Sequence, residues 1–87
     1  MARYRVFIKH SARKELELVA AKSDRRRVTA RIASLAEEPR PHGCEKLAGY
    51  TDRYRVRQGD YRIVYLVDDF ERSGMIFKIG HRREVYR

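Results

Sequence analysis

Arg53-Tyr-Arg-Val-Arg-Gln-Gly-Asp-Tyr-Arg-Ile-Val-Tyr65 is the stretch whose reading decides the fold. Two alternating runs flank Gly59-Asp60, and a two-residue connection containing glycine suits a tight hairpin turn. With Gly59 and Asp60 as the loop, the register follows. Gln58 opposes Tyr61, Arg57 opposes Arg62, Val56 opposes Ile63, Arg55 opposes Val64 and Tyr54 opposes Tyr65. Side chains alternate faces along a strand. One face therefore carries Tyr54, Val56, Tyr61, Ile63, Tyr65 and Val67; the other carries Arg55, Arg57 and Arg62 with Val64 and Leu66. Like charges directly opposite one another destabilise a hairpin, and local conflicts of this kind collect at functional sites. Three guanidiniums converging on one face make a site for an anion, most naturally phosphate, which arginine grips through its planar fork of donors. The pattern fits a solvated sheet face of a basic protein equally well.

Outward from the hairpin, Arg3 to Lys9 alternates and predicts a first strand with Tyr4, Val6 and Ile8 on one face. Ser11 is the expected N-cap of a helix over about residues 12–21, with Ala12, Leu16, Val19 and Ala20 on one side. Ser23 or Asp24 is expected to cap a second helix, where Val28, Ile32, Leu35 and Ala36 recur at helical spacing. Glu37-Glu-Pro39 ends it, because the residue before a proline avoids the helical region. The stretch from Pro39 to Glu45 reads as a loop. Beyond the hairpin come an acidic turn at Asp68-Asp69, a strand from Met75 to Ile79, and the tail from Gly80 to Arg87. The order β-α-α-β-β-β predicts an α+β fold. A two-helix hairpin packs on one face of a small curved, largely antiparallel sheet, and the arginine face is left open. Residues 1–87 are expected to form a single domain.

Composition points the same way. In 87 residues, 21 Lys and Arg stand against 12 Asp and Glu, a formal +9, and sixteen of the 21 are Arg. Nucleic acid or another polyanion is the partner such a balance favours. The charge is spread: net +5 over residues 1–52 and net +4 over residues 53–87. A site argument therefore rests on how the arginines are arranged, not on a basic tail. Arg25, Arg26, Arg27 and Arg31 are read as a solvated helix face rather than a polyanion contact. The lone Cys44 excludes an intrachain disulfide and fits a reducing cytoplasm. No signal peptide and no membrane-length apolar run is expected. His42 and Cys44 lack a second His/Cys pair at ligand spacing, so neither a metal nor another cofactor is expected.

Lys46-Leu-Ala-Gly, Tyr54-Arg-Val-Arg, Gly59-Asp-Tyr-Arg-Ile-Val-Tyr65 and Ile79-Gly-His-Arg-Arg-Glu-Val-Tyr86 together resemble the RelE branch of the RelE/ParE toxin superfamily. The resemblance covers the whole chain, and the pairing of the last two motifs is its most specific part. It implies a microbial type II toxin that cuts mRNA in the ribosomal A site. It also implies a cognate acidic, RelB-like antitoxin that holds the toxin inactive, and contact with operator DNA only through their complex. Cleavage in this family uses the RNA's own 2′-hydroxyl and no metal. It needs a base for that hydroxyl, cations for the phosphorane charge and an acid for the leaving oxygen. By position, Arg62 matches the family's phosphate-stabilising arginine. Arg82, with Arg83 a close rival, matches the arginine near the leaving group, and Tyr86 matches the catalytic tyrosine. Arg55 and Arg57 match two substrate-side basic residues that are lysines in the best-studied members. Arginine effectively cannot lose its proton, so Arg55 cannot act as a base. His81, with an ordinary pKa of about 6.5, then Tyr86 and Glu84, are the candidates. The alternative within the superfamily is a ParE-like inhibitor of DNA gyrase with no nuclease activity.

Overall fold

The computed structural model describes residues 3–81. Its elements are β1 (Arg5–Ile8), α1 (His10–Glu17), α2 (Lys22–Ser34), β2 (Glu45–Lys46), β3 (Arg53–Gln58), β4 (Tyr61–Asp68) and β5 (Ser73–His81). The five strands form one sheet in the order β1-β5-β4-β3-β2. Only the β1–β5 pairing is parallel; the other three are antiparallel.

The hairpin has the register expected from its sequence, with Arg57 opposite Arg62 and Tyr54 opposite Tyr65. Gly59 has φ 60°, while Asp60 is not among the residues with positive φ. Positive φ at the first loop position alone defines a type II′ turn, which matches the right-handed twist of the flanking strands. Alternation then sorts the side chains. Val56, Ile63, Tyr65 and Val67 are buried together with Ala12, Val28, Ile32 and Leu35 of the helical layer. Each such large apolar side chain contributes roughly 1.5–3 kcal/mol by leaving water, so this layer holds the sheet in place beneath its open face.

Three details depart from the sequence reading. A fifth strand exists: Glu45 and Lys46, expected at the edge of a loop, pair with Arg55 and Tyr54. Two residues are too few to carry a period, so pattern alone cannot show the strand. Helix α1 starts and stops early, at His10 and Glu17, and neither helix has a side-chain N-cap. Lys9 stays extended and donates its amide to the Ile76 carbonyl at 2.8 Å. The junction between α1 and α2 is instead fastened by Arg25, whose Nη1 donates to the Val19 carbonyl at 2.6 Å and the Ala20 carbonyl at 3.3 Å. Finally, β4 and β5 slip register between Val64 and Tyr65, which pair with Lys78 and Ile76. Phe77 is the extra residue of this β-bulge. Next to it, Glu15 of α1 accepts from the Ile79 amide at 2.8 Å and from Lys78 Nζ at 2.9 Å. One carboxylate thus ties the helix to the irregular part of the strand.

Among the described residues, no helix is long and apolar enough to cross a membrane.

Candidate functional site

Arg55 and Arg57 on β3 and Arg62 on β4 line one cavity on the sheet face away from the helices, with Gly43 and Glu45 as its other wall. Its volume is about 290 Å³. Three of the residues singled out from the sequence are thus brought together, two of them directly cross-strand at Arg57 and Arg62. Glu45 Oε1 accepts from Arg55 Nε at 2.8 Å, and Arg57 Nε donates to the Gly59 carbonyl at 3.2 Å. Arg55 is well covered at 24% side-chain exposure, whereas Glu45 is open to water at 62%. Arg53 shares the face but points its charge elsewhere. Its guanidinium carbon lies 4.3 Å from the Tyr50 ring centroid and 5.1 Å from that of Phe77, a cation–π arrangement that covers the far end of the face.

Such a pocket can hold a phosphodiester through arginine forks. Because the guanidiniums are already in place, they can stabilise the extra negative charge of a five-coordinate phosphorus without reorganising.

The wall formed by Gly43 and Glu45 belongs to a loop that is anchored at its other end. Arg40 donates to both carboxylate oxygens of Asp69, Nη1 to Oδ1 at 3.0 Å and Nη2 to Oδ2 at 2.7 Å. Its Nε donates to the Tyr54 hydroxyl at 3.0 Å, and Tyr4 donates to Asp69 Oδ1 at 2.7 Å. The Tyr65 hydroxyl donates to the Pro39 carbonyl at 2.7 Å from within the core. The charges respond. Hydrogen bonds from Arg40, then Tyr4, hold the Asp69 carboxyl below the usual carboxylate range. The bond to Asp69 raises the Tyr4 phenol, and burial raises the Tyr65 phenol.

His81 stands apart. In register it pairs with Tyr61, whereas Gly80 is the partner of Arg62. Its ring meets that of Tyr61 edge-on, with centroids 5.8 Å apart. Both residues line a second cavity, of about 370 Å³, whose other wall includes Glu15, Leu18 and Val19. The histidine ring is therefore on the helix-bearing side of the sheet, across from the arginine cavity. Arg82, Arg83, Glu84 and Tyr86 lie outside the described residues.

Glu45 and Gly43 were missed in the sequence. The usable signal was a cross-strand pair of opposite charges, Glu45 facing Arg55, which favours pairing but is visible only once β2 is known to be a strand.

An α+β sheet with an arginine-lined anion pocket on its open face defines a class that comparison makes specific. Residues 6–86 match the family of the ParE toxin of type II toxin–antitoxin systems, parDE. Among solved structures, RelE in the archaeal RelE–RelB complex from Pyrococcus horikoshii OT3 is 33% identical with a TM-score of 0.82, over 94% of this chain and 98% of that one. The isolated Escherichia coli RelE toxin is 28% identical with a TM-score of 0.78, over 95% and 90% of the two chains. The intact E. coli RelBE complex matches with 25% identity and a TM-score of 0.77, over 90% and 95%. No curated protein sequence matches the chain. The chain belongs to the RelE/ParE toxin superfamily and is a RelE-type member of it.

Proposed function

We propose that the chain is the toxin of a RelBE-type pair and an endoribonuclease that cuts mRNA in the ribosomal A site. The observation that carries this reading is the convergence of Arg55, Arg57 and Arg62 on one cavity of about 290 Å³, roomy enough for a phosphodiester. In the reaction the 2′-oxygen attacks the adjacent phosphorus and loses its proton. The bond from phosphorus to the 5′-oxygen breaks, and that oxygen gains a proton. The products are a cyclic phosphate and a free 5′-hydroxyl. Arg62, with Arg55 and Arg57 on the substrate, offsets the phosphorane charge. Arg82 or Arg83 serves the leaving oxygen, and Tyr86 orients the RNA. His81 can take the proton only if its ring leaves Tyr61 and turns to the other side of the strand. The cytoplasm is the compartment, and an acidic RelB-like antitoxin is the partner, its charge matched to the formal +9 of this chain.

Arg62→Ala is the test. It should leave unfolding unchanged while lowering ribosome-dependent mRNA cleavage on the order of 100-fold or more, the scale of losing one charge-stabilising donor. Parental growth arrest and parental cleavage in that variant would remove the assignment. The family match to ParE toxins favours a second reading, inhibition of DNA gyrase. A supercoiling assay beside mapping of mRNA ends separates the two: gyrase inhibition that survives Arg62→Ala, with mRNA left intact, selects the second.

A further inference from the structure

We infer that Glu45 is an internal counter-ion that occupies the anion cavity and sets its affinity, so that an RNA phosphate binds by displacing a carboxylate of the protein itself. The inference rests on the reading of the cavity as an RNA site.

Three observations carry it. First, Glu45 is the one carboxylate among the described residues lining the cavity, and it sits against Arg55 at 2.8 Å. A carboxylate offers an arginine fork the same kind of acceptor that a phosphate does. Second, the pair is easy to exchange. The carboxylate is 62% exposed, so it can return to water without a large desolvation change. Third, the segment that carries Glu45 is a short edge strand bounded by two turns. Cys44 donates its amide to the Pro41 carbonyl at 3.0 Å and Tyr50 donates its amide to the Leu47 carbonyl at 3.3 Å. Each closes a turn whose third residue is a glycine with positive φ, Gly43 at 91° and Gly49 at 86°. Type II turns require this at that position. The segment meets the sheet through the two residues of β2 and through the Leu47 amide, which donates to the Arg53 carbonyl at 2.9 Å.

The chemistry gives selectivity. A phosphate seated among Arg55, Arg57 and Arg62 can accept from several guanidiniums at once, which a carboxylate fixed to β2 cannot reproduce. An anion met at random in solution has to compete with Glu45. A backbone phosphate that is already positioned has a high effective concentration and wins.

The experiment measures binding of a short RNA carrying 2′-O-methyl groups, which cannot be cleaved, to the isolated full chain by fluorescence anisotropy. Wild type, Glu45→Gln, Glu45→Ala and Arg55→Gln are compared, each with its melting curve. Glu45→Gln and Glu45→Ala should tighten binding by roughly two- to fivefold, the scale of an exposed ion pair. Arg55→Gln should weaken it. If Glu45 instead holds Arg55 in a productive pose, both Glu45 variants bind more weakly; that result, or unchanged binding, overturns the inference. Loss of binding in Arg55→Gln without a gain in the Glu45 variants defeats this inference alone. No effect from any of the substitutions defeats the RNA reading of the cavity with it.

Discussion

Two arginine–carboxylate pairs stand at the ends of one loop, alike in chemistry and in the exposure of their carboxylates and different in their surroundings. Arg40 and Asp69 are joined by two parallel bonds, and each is held by a tyrosine, Tyr54 and Tyr4. Arg55 and Glu45 share a bond of 2.8 Å beside a cavity. The first pair joins chain segments far apart in sequence, and moving it also disturbs the two tyrosines that hold it. The second joins neighbouring strands through residues ten apart in sequence, and its carboxylate is no more open to water than that of the first, 62% against 61%. An ion pair therefore says little about its role until its other bonds are counted. Where side chains on both sides are held, it acts as a clamp. Where it stands at a cavity that can take another anion, it can act as an exchangeable occupant.

The contrast breaks most plainly at the anchor beneath the clamp. Tyr65→Ala removes a buried ring stacked on Tyr54 and the hydroxyl bound to Pro39. It should destabilise by about 3–5 kcal/mol in urea unfolding, the range for deleting a large core aromatic. Arg55→Ala, at the other end, should cost about 1 kcal/mol or less, the scale of an ion pair with one open member. Comparable losses from the two would end the distinction. A smaller effect separates the carboxylates: Asp69→Asn should lower the melting temperature, and Glu45→Gln should leave it in place. The finest test is acidity. The Asp69 carboxyl is depressed by Arg40 and Tyr4, so its stabilisation is fully present above the ordinary carboxylate range and is lost as pH falls through the lower folded value. The melting difference between wild type and Asp69→Asn should therefore hold steady from neutral pH into the ordinary carboxylate range and vanish only in stronger acid. A difference that stays the same across the whole acid range would show that the clamp does not perturb Asp69.

Much of this was legible in sequence because strand period and turn chemistry are local. The hairpin register, the buried row of Val56, Ile63 and Tyr65, and the gathering of Arg55, Arg57 and Arg62 all follow from Gly59-Asp60 and alternation. What could not be read is long-range or without a period. The two residues of β2 show no pattern, and the Arg40–Asp69 contact spans 29 positions. His81 was placed by the register of β5 against β4, which a bulge at Phe77 shifts by one residue. A slip of one residue exchanges the two faces of a strand, and the position of His81 lies beyond that slip.

The parallel pairing of β1 with β5 has a consequence in time. Arg5 lies opposite Ser73, and the amides of Arg5 and of Lys9, just past the end of β1, donate to the carbonyls of Arg72 and Ile76. Synthesis runs from the N-terminus, so the earliest of the described strands to leave the ribosome pairs with the latest of them. Until Ser73 and its successors emerge, β1 has no neighbour and the sheet stops at β4. Loop closure over most of the chain must precede the reward of that contact. Potency should therefore appear abruptly, once β5 has emerged, and a chain released before that should be harmless to the cell that made it. Truncation before Ser73 provides the check: toxicity in such fragments would show that activity needs neither β5 nor the β1 pairing it supplies.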